Sequence, residues 1–155
     1  MTLNEFIADI VAFCQEETER IIAELERLRF SNQGAFNGNP RWYDNHPEVI
    51  KDKGRNQPLV DSGNLRRELE NPKNWDLKPN FNKNLLTLTI PETENFTDSK
   101  YNVLQTGGAV SPYVSRRGNK INIHSVGPRQ FKNFTAQDID WIQDKLVKAI
   151  EDKYT

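Results

Sequence analysis

The residues able to do chemistry are few and scattered. The two histidines, His46 and His124, lie far apart in the chain, without the i,i+4 spacing of a zinc-binding helix and without a cysteine partner nearby. Each reads as an ordinary surface or partly buried imidazole. The carboxylate pairs Glu92/Glu94 and Asp138/Asp140 have the residue types of a glycosidase site, but close pairs on a loop and at a helix start are usually solvated. Asp138 and Asp140 also suit the positive end of the helix they open. Gly107-Gly108-Ala109-Val110-Ser111 lacks the lysine of a phosphate-binding loop and the glycine spacing of a nucleophile elbow. Cys14 is the only cysteine, which excludes an internal disulfide and a cysteine zinc cluster and fits a reducing compartment; it reads as a small apolar residue on a buried helix face. No catalytic, metal or cofactor set emerges.

Charge placement is more informative than the net charge of −1. Between Tyr113 and Lys132 stand Arg116, Arg117, Lys120, Arg129 and Lys132 with no acid, while Met1 to Phe30 carries seven acids against three bases. Such a protomer is dipolar. Unlike patches meet on successive subunits of a head-to-tail ring. The same basic segment, 113–132, suits a second use as a nucleic-acid-binding module, or as the lining of a channel that holds DNA phosphates by charge without reading sequence. A third reading is that Arg116, Arg117 and Lys120 keep a hairpin tip soluble.

The elements that position these residues follow from periodicity. Leu3, Phe6, Ile7, Ile10, Phe13, Cys14, Ile21, Leu25 and Leu28 recur at spacings of three and four, which predicts an amphipathic helix over 1–30. At 1.5 Å per residue it is about 40 Å long, so its apolar stripe either lies across its own sheet or reaches a neighbouring subunit. Residues 31–57, rich in Asn, Gly, Pro and His, read as a long loop of the functional kind. Trp42 and Tyr43 within it are either anchors packed on the core or interface residues exposed until assembly. A basic stretch with Arg55 then runs into Pro58-Leu59-Val60, and Asp61 or Ser62 caps a short helix near Asn64 to Glu70 that carries Leu65, Arg66 and Leu69. A polar connector follows, then a strand at Leu85 to Ile90, ended by Pro91. Tyr101 to Gln105 is a second strand, with Gly107-Gly108 as its turn. Tyr113 to Arg117 and Lys120 to His124 form a hairpin closed by Gly118-Asn119 as a type II′ turn. Thr135 caps a final helix with Ile139, Ile142, Leu146 and Ile150 on one face. Together this is an α+β protein: a long N-terminal and a C-terminal helix packed on a small, mainly antiparallel sheet, in one domain spanning 1–155.

The length of 155 residues suffices to bury a core unaided. The apolar share of 35% against 28% charged favours a face covered by a partner. No apolar run approaches the roughly 20 residues of a bilayer span, and the N-terminus lacks a secretory pattern, so no membrane contact is expected.

The run Pro58-Leu59-Val60-Asp61-Ser62-Gly63-Asn64-Leu65-Arg66 resembles the Leu-x-Asp-Thr-Gly-x-Leu-Arg signature of the virion morphogenesis or tail-completion proteins of Mu-like tailed phages. Further landmarks occur in the family's order. Phe36-Asn37-Gly38-Asn39-Pro40-Arg41-Trp42 is similar to its glycine-containing loop ending in tryptophan. Tyr101 to Gly108 resembles its Tyr-Ala-x-x-His-Gln-x-Gly element, with Leu104 where histidine is usual. Pro128-Arg129-Gln130-Phe131 resembles Pro-x-Arg-Pro-Phe-Leu, with Gln130 replacing the second proline. The resemblance implies a structural protein of a phage or prophage, a virion component assembled in the host cytoplasm, that completes the tail and prepares head joining without catalysis. Its implied partners are further copies of itself in a ring, a hexamer by analogy, together with tail-tube and head-connector proteins, and DNA touched nonspecifically in the lumen. The implied interaction residues are Trp42, Arg55, Leu59, Arg66, Arg116, Arg117, Lys120, Arg129 and Phe131. On this reading, replacing Arg116 and Arg117 with Glu weakens assembly with little loss of protomer stability.

Overall fold

The computed structural model describes residues 1–60, 63–80, 83, 85–89, 107–127, 129 and 134–155. The expected cap at Asp61 or Ser62, the strand at 101–105, and Phe131 and Lys132 lie outside them. The class is α+β, and the chain divides into two compact units, 1–27 with 68–91 and 134–155, and 28–67 with 92–133.

The first unit holds most of α1 (Leu3–Ser31), the antiparallel pair β1 (Asp76–Asn80) and β2 (Leu85–Thr89), and α4 (Ala136–Tyr154). The helical periodicity of α1 is used unevenly. Ile21, Ile22 and Leu25 are buried, whereas Leu3, Phe6, Ile7 and Val11 are exposed. Two side chains of α1 hold β1. Gln15 Nε2 donates to Leu77 O at 2.7 Å, and Glu19 Oε1 accepts the Leu77 N–H at 3.3 Å. The C-terminal end of α4 closes on the start of α1: Tyr154 meets Phe6 and Phe13 edge-on at 6.0 and 5.8 Å and donates its hydroxyl to Asp9 at 3.0 Å. Thr135 caps α4 as expected, in a reciprocal capping box with Asp138. Asp138 is fully buried, which corrects its reading as a solvated carboxylate. Its cost of burial is offset by accepting the Thr135 N–H at 3.0 Å at the positive end of the helix.

β1 occupies the stretch expected to be a polar connector. Asp-Leu-Lys-Pro-Asn has little intrinsic strand preference, and a proline argues against a central strand. Among the described residues β1 and β2 pair only with each other, which leaves one edge of each strand open, and an edge is where proline is tolerated. Just before it, a 3₁₀ turn at Pro72–Asn74 leads to Trp75, whose buried indole donates to Leu69 O at 2.7 Å.

The second unit holds the end of α1, α2 (Pro47–Lys53), the first residues of α3 (Asn64–Leu69) and a β ribbon. The region expected as an unbroken loop over 31–57 therefore contains a helix. Pro47 stands in its first turn, His46 caps it, and Gly54 ends it at φ +74°, its N–H returning to Ile50 O at 2.8 Å. In the ribbon, β3 (Gly108–Val110) pairs with β6 (His124–Val126), and β4 (Tyr113–Val114) pairs with β5 (Lys120–Ile121). Two residues separate Val110 from Tyr113 and two separate Ile121 from His124, so both ladders share one register. Gly108 is thus a strand residue and not a turn. The closing turn also differs from the type II′ expectation. Ser115 N–H bonds Asn119 O at 2.8 Å and Gly118 N–H bonds Ser115 O at 2.9 Å, which defines a three-residue loop, Arg116-Arg117-Gly118, with Gly118 third at φ +86°. A glycine with left-handed φ in the third position is what a type I turn with a following bulge needs.

No helix of the described residues is long and apolar enough to cross a membrane.

Candidate functional site

The polar side chains of the second unit converge where α2 meets the ribbon. Glu48 and Asp52, four residues apart, lie on one face of α2. Asp52 accepts from three residues of the ribbon loop: Ser115 Oγ at 2.8 Å, Asn119 Nδ2 at 2.5 Å and Arg117 Nη1 at 3.0 Å. Glu48 accepts both the backbone N–H of Asn122, at 2.9 Å, and its side-chain amide, at 2.8 Å. In both cases the donors hold the carboxyl below its ordinary value. For Asp52 the chief cause is Asn119, then Ser115, with Arg117 adding to both; for Glu48 it is the Asn122 backbone N–H, then its amide. Carboxylates held as anions are poor proton donors. Their chemistry here is to clamp the ribbon, Glu48 covering the N–H of Asn122 between β5 and β6 and Asp52 fixing the loop.

This clamp carries a pH dependence with a definite sign. Because both groups are lowered in the folded protein, the bonds are complete at neutral pH and are lost as the pH falls through the folded values. The Asn122 amide resonance is expected to shift in acid as Glu48 is protonated, and the shift is expected to vanish in Glu48→Gln. An Asn122 amide indifferent to acid would show that Glu48 does not hold it.

The two histidines, far apart in sequence, meet here. Their rings stack with centroids 4.8 Å apart and 29° between planes. His124 Nδ1 lies 2.9 Å from Asn122 O, and since a carbonyl only accepts, that nitrogen carries the proton. His46 Nδ1 accepts the Glu48 N–H at 3.3 Å as the α2 cap. Both imidazoles are therefore engaged in positioning α2 and the ribbon. Nothing in their spacing signals this; only the pairing of a loop with a strand creates it. Among the described residues, no group of three or more His, Cys, Asp or Glu side chains is placed to hold a metal ion.

The sequence-predicted interaction residues differ in burial. Trp42 and Arg129 are buried. Trp42 meets Phe30 edge-on at 5.1 Å, as the core-anchor alternative requires, while Tyr43 beside it is exposed. Arg129 Nε donates to Tyr43 O at 3.1 Å, and its Nη2 donates to Asp44 O at 3.0 Å and Asn45 Oδ1 at 3.2 Å. Burial lowers the pKa of this guanidinium, opposed by the charge of Asp44. Arg129 is thus a clip from the end of the ribbon to the 43–45 loop, not a surface cation. Leu59 is half-buried with φ +62°, an uncommon conformation for a residue with a side chain. Arg66 is half-buried, donating to Ser31 Oγ at 3.2 Å with its guanidinium 5.8 Å over the Phe30 ring. Arg55, Arg116 and Lys120 are exposed. Arg117 is exposed as a residue but its guanidinium is paired to Asp52, so Arg117→Glu sets carboxylate against carboxylate and loosens the ribbon. The expectation that Arg116 and Arg117 are replaceable with little loss of protomer stability is corrected on this point; Arg116 and Lys120 are the pair that probes the surface. Phe131 lies outside the described residues.

A scan against protein-family models found no matching family, and searches of curated proteins and of solved structures found no match.

Proposed function

We propose that the protein is a phage or prophage structural protein that completes the tail, forming a ring at the end of the tail tube and presenting a surface for head joining, without catalysis. The observation that carries this reading is the order of segments resembling the tail-completion family: the loop ending at Trp42, the Pro58 to Arg66 run, the Tyr101 to Gly108 element and the Pro128 to Phe131 turn. Two of these segments are joined physically, since Arg129 of the last clips the backbone just after Trp42 of the first. The mechanism is then interface complementarity and timing of assembly.

The alternative, a nucleic-acid-binding module built on 113–132, is weakened by the use of its cations: Arg129 is buried and Arg117 is paired, which leaves Arg116 and Lys120 as the exposed bases of the described part. Light scattering over a concentration series, followed by binding to purified tail tubes, tests the first reading. A discrete ring that caps tubes is expected. A protein that neither assembles nor binds tubes, yet binds DNA with a steep salt dependence, would replace that reading with the second.

A further inference from the structure

Four residues close a circuit between α2 and the ribbon. His46 Nδ1 accepts the Glu48 N–H at 3.3 Å, the Glu48 carboxylate accepts the Asn122 N–H at 2.9 Å, Asn122 O accepts from His124 Nδ1 at 2.9 Å, and His124 stacks back on His46 with ring centroids 4.8 Å apart. His46 enters it as a neutral imidazole, because the cap needs the lone pair of Nδ1 and leaves the proton to Nε2. Aspartate, asparagine, serine and threonine are the favoured helix caps, and none of them changes charge between pH 5 and 8. Histidine is the cap that a proton in that range can remove.

We propose that the His46–His124 pair is a proton-operated latch, which holds α2 to the ribbon while both imidazoles are neutral and releases it as they take up protons between about pH 7.5 and 5.5. An imidazolium has no acceptor in either ring orientation, so a proton on His46 removes the cap from the Glu48 N–H and places a positive charge at the positive end of α2. A second proton, on His124, then sets two cations face to face. Both links made by His46 are weakened together, and Glu48 with Asn122 is left as the one link of the circuit between the two elements. The charged groups on the α2 side are Asp44, Glu48, Asp52 and, in its last turn, Lys51 and Lys53; on the ribbon side they are Arg117, Lys120 and Arg129. Asp44 is paired with Arg41, and Asp52 with Arg117. Glu48 acts on both histidines and favours their protonation, whereas Arg129, bonded to Asn45 beside His46, opposes it. These charges act against one another, which leaves the cap and the stack as what a proton must break. Glu48 and Asp52 do not switch in this range, since each is held below the ordinary carboxyl value and remains an anion at pH 5.5. The latch belongs to the protomer, goes beyond the proposed tail role and does not rest on it.

Amide hydrogen exchange of the full chain at pH 7.5 and 5.5, corrected for the intrinsic pH dependence of exchange, tests the latch. The variant is His46→Asn, since asparagine caps α2 and takes up no proton in this range. In the parent, protection of residues 48–50 and 120–124 is expected to fall about fivefold or more at the lower pH, the scale of one lost cap, while Ile21 to Leu25 of α1 stay unchanged. In His46→Asn, protection is expected to be equal at the two pH values. Parent amides that keep their protection at pH 5.5 would overturn the latch, and so would a variant that loses protection as the parent does. Should circular dichroism show the variant unfolded, the parent decides alone: its loss of protection must follow the ring-proton resonances of His46 or His124 through a pH titration, and a loss that follows neither overturns the proposal.

Discussion

Trp42→Ala is expected to destabilise the protein by about 3–5 kcal/mol, the range for deleting a large aromatic from a closed core. The indole is 4% exposed and lies edge-on to Phe30, and the main chain that carries it is fixed by the Trp42 backbone N–H donating to Gln33 O at 2.6 Å. Its other wall is backbone. Gly34 turns at φ +90°, and a Cβ there would fall 2.5 Å from the indole, so the glycine exists to let the ring approach the chain. Such a wall cannot relax inward to fill the void left by alanine. Trp42→Phe should recover part of the loss, since an aromatic ring still faces Phe30. Urea unfolding of both variants measures the effect. A loss under about 1 kcal/mol for Trp42→Ala would mean that the ring is not part of the protomer core and would return it to the assembly interface.

Arg129→Met is expected to cost about 3 kcal/mol, because it keeps the volume but strips donors from three acceptors around the 43–45 loop. Tyr43 O, Asp44 O and the side-chain oxygen of the buried Asn45 lose the guanidinium together. Asn45 keeps its N–H bond to Asn56 Oδ1 at 3.2 Å, so the damage should centre on the 43–45 loop and not abolish α2. Hydrogen exchange should therefore quicken first in residues 43–46, with α2 less affected. Lysine at 129 keeps a charge but presents no planar fork, so it cannot reach all three acceptors and should fall between. Equal stability of Arg129→Met and the parent would show that these oxygens are satisfied without Arg129.

The residues named from sequence fared according to how local their physics is. Cap, periodicity and turn signals act over a few residues, and they placed α1, α3, β2, α4 and the cap of α4 at Thr135. The α2 helix, by contrast, was hidden in a polar, proline-containing stretch whose only apolar residues are Val49 and Ile50. Its helical state is supported by Glu48 and Asp52 bonding a ribbon more than sixty residues away, a partner that no local window contains. β1 was missed for the same reason, since its state depends on β2 and on the Gln15 and Glu19 side chains that hold Leu77. The turn at Gly118 was located correctly and typed wrongly, because residue type marks where a left-handed glycine is needed but not which loop position it fills.

By itself, then, the sequence determines the α+β class, the long N-terminal helix, the capped C-terminal helix and the sign of charge along the chain, because each depends on neighbours within a turn or two. Only the tertiary structure decides what the charged and aromatic residues do. Arg129, Arg117 and Lys120 look alike in a basic segment, yet one is a buried clip, one is paired with Asp52 and one is exposed. Their difference lies in the groups brought to them from residues 43–45 and from α2, and burial and pairing are properties of those distant partners rather than of the arginine or lysine itself.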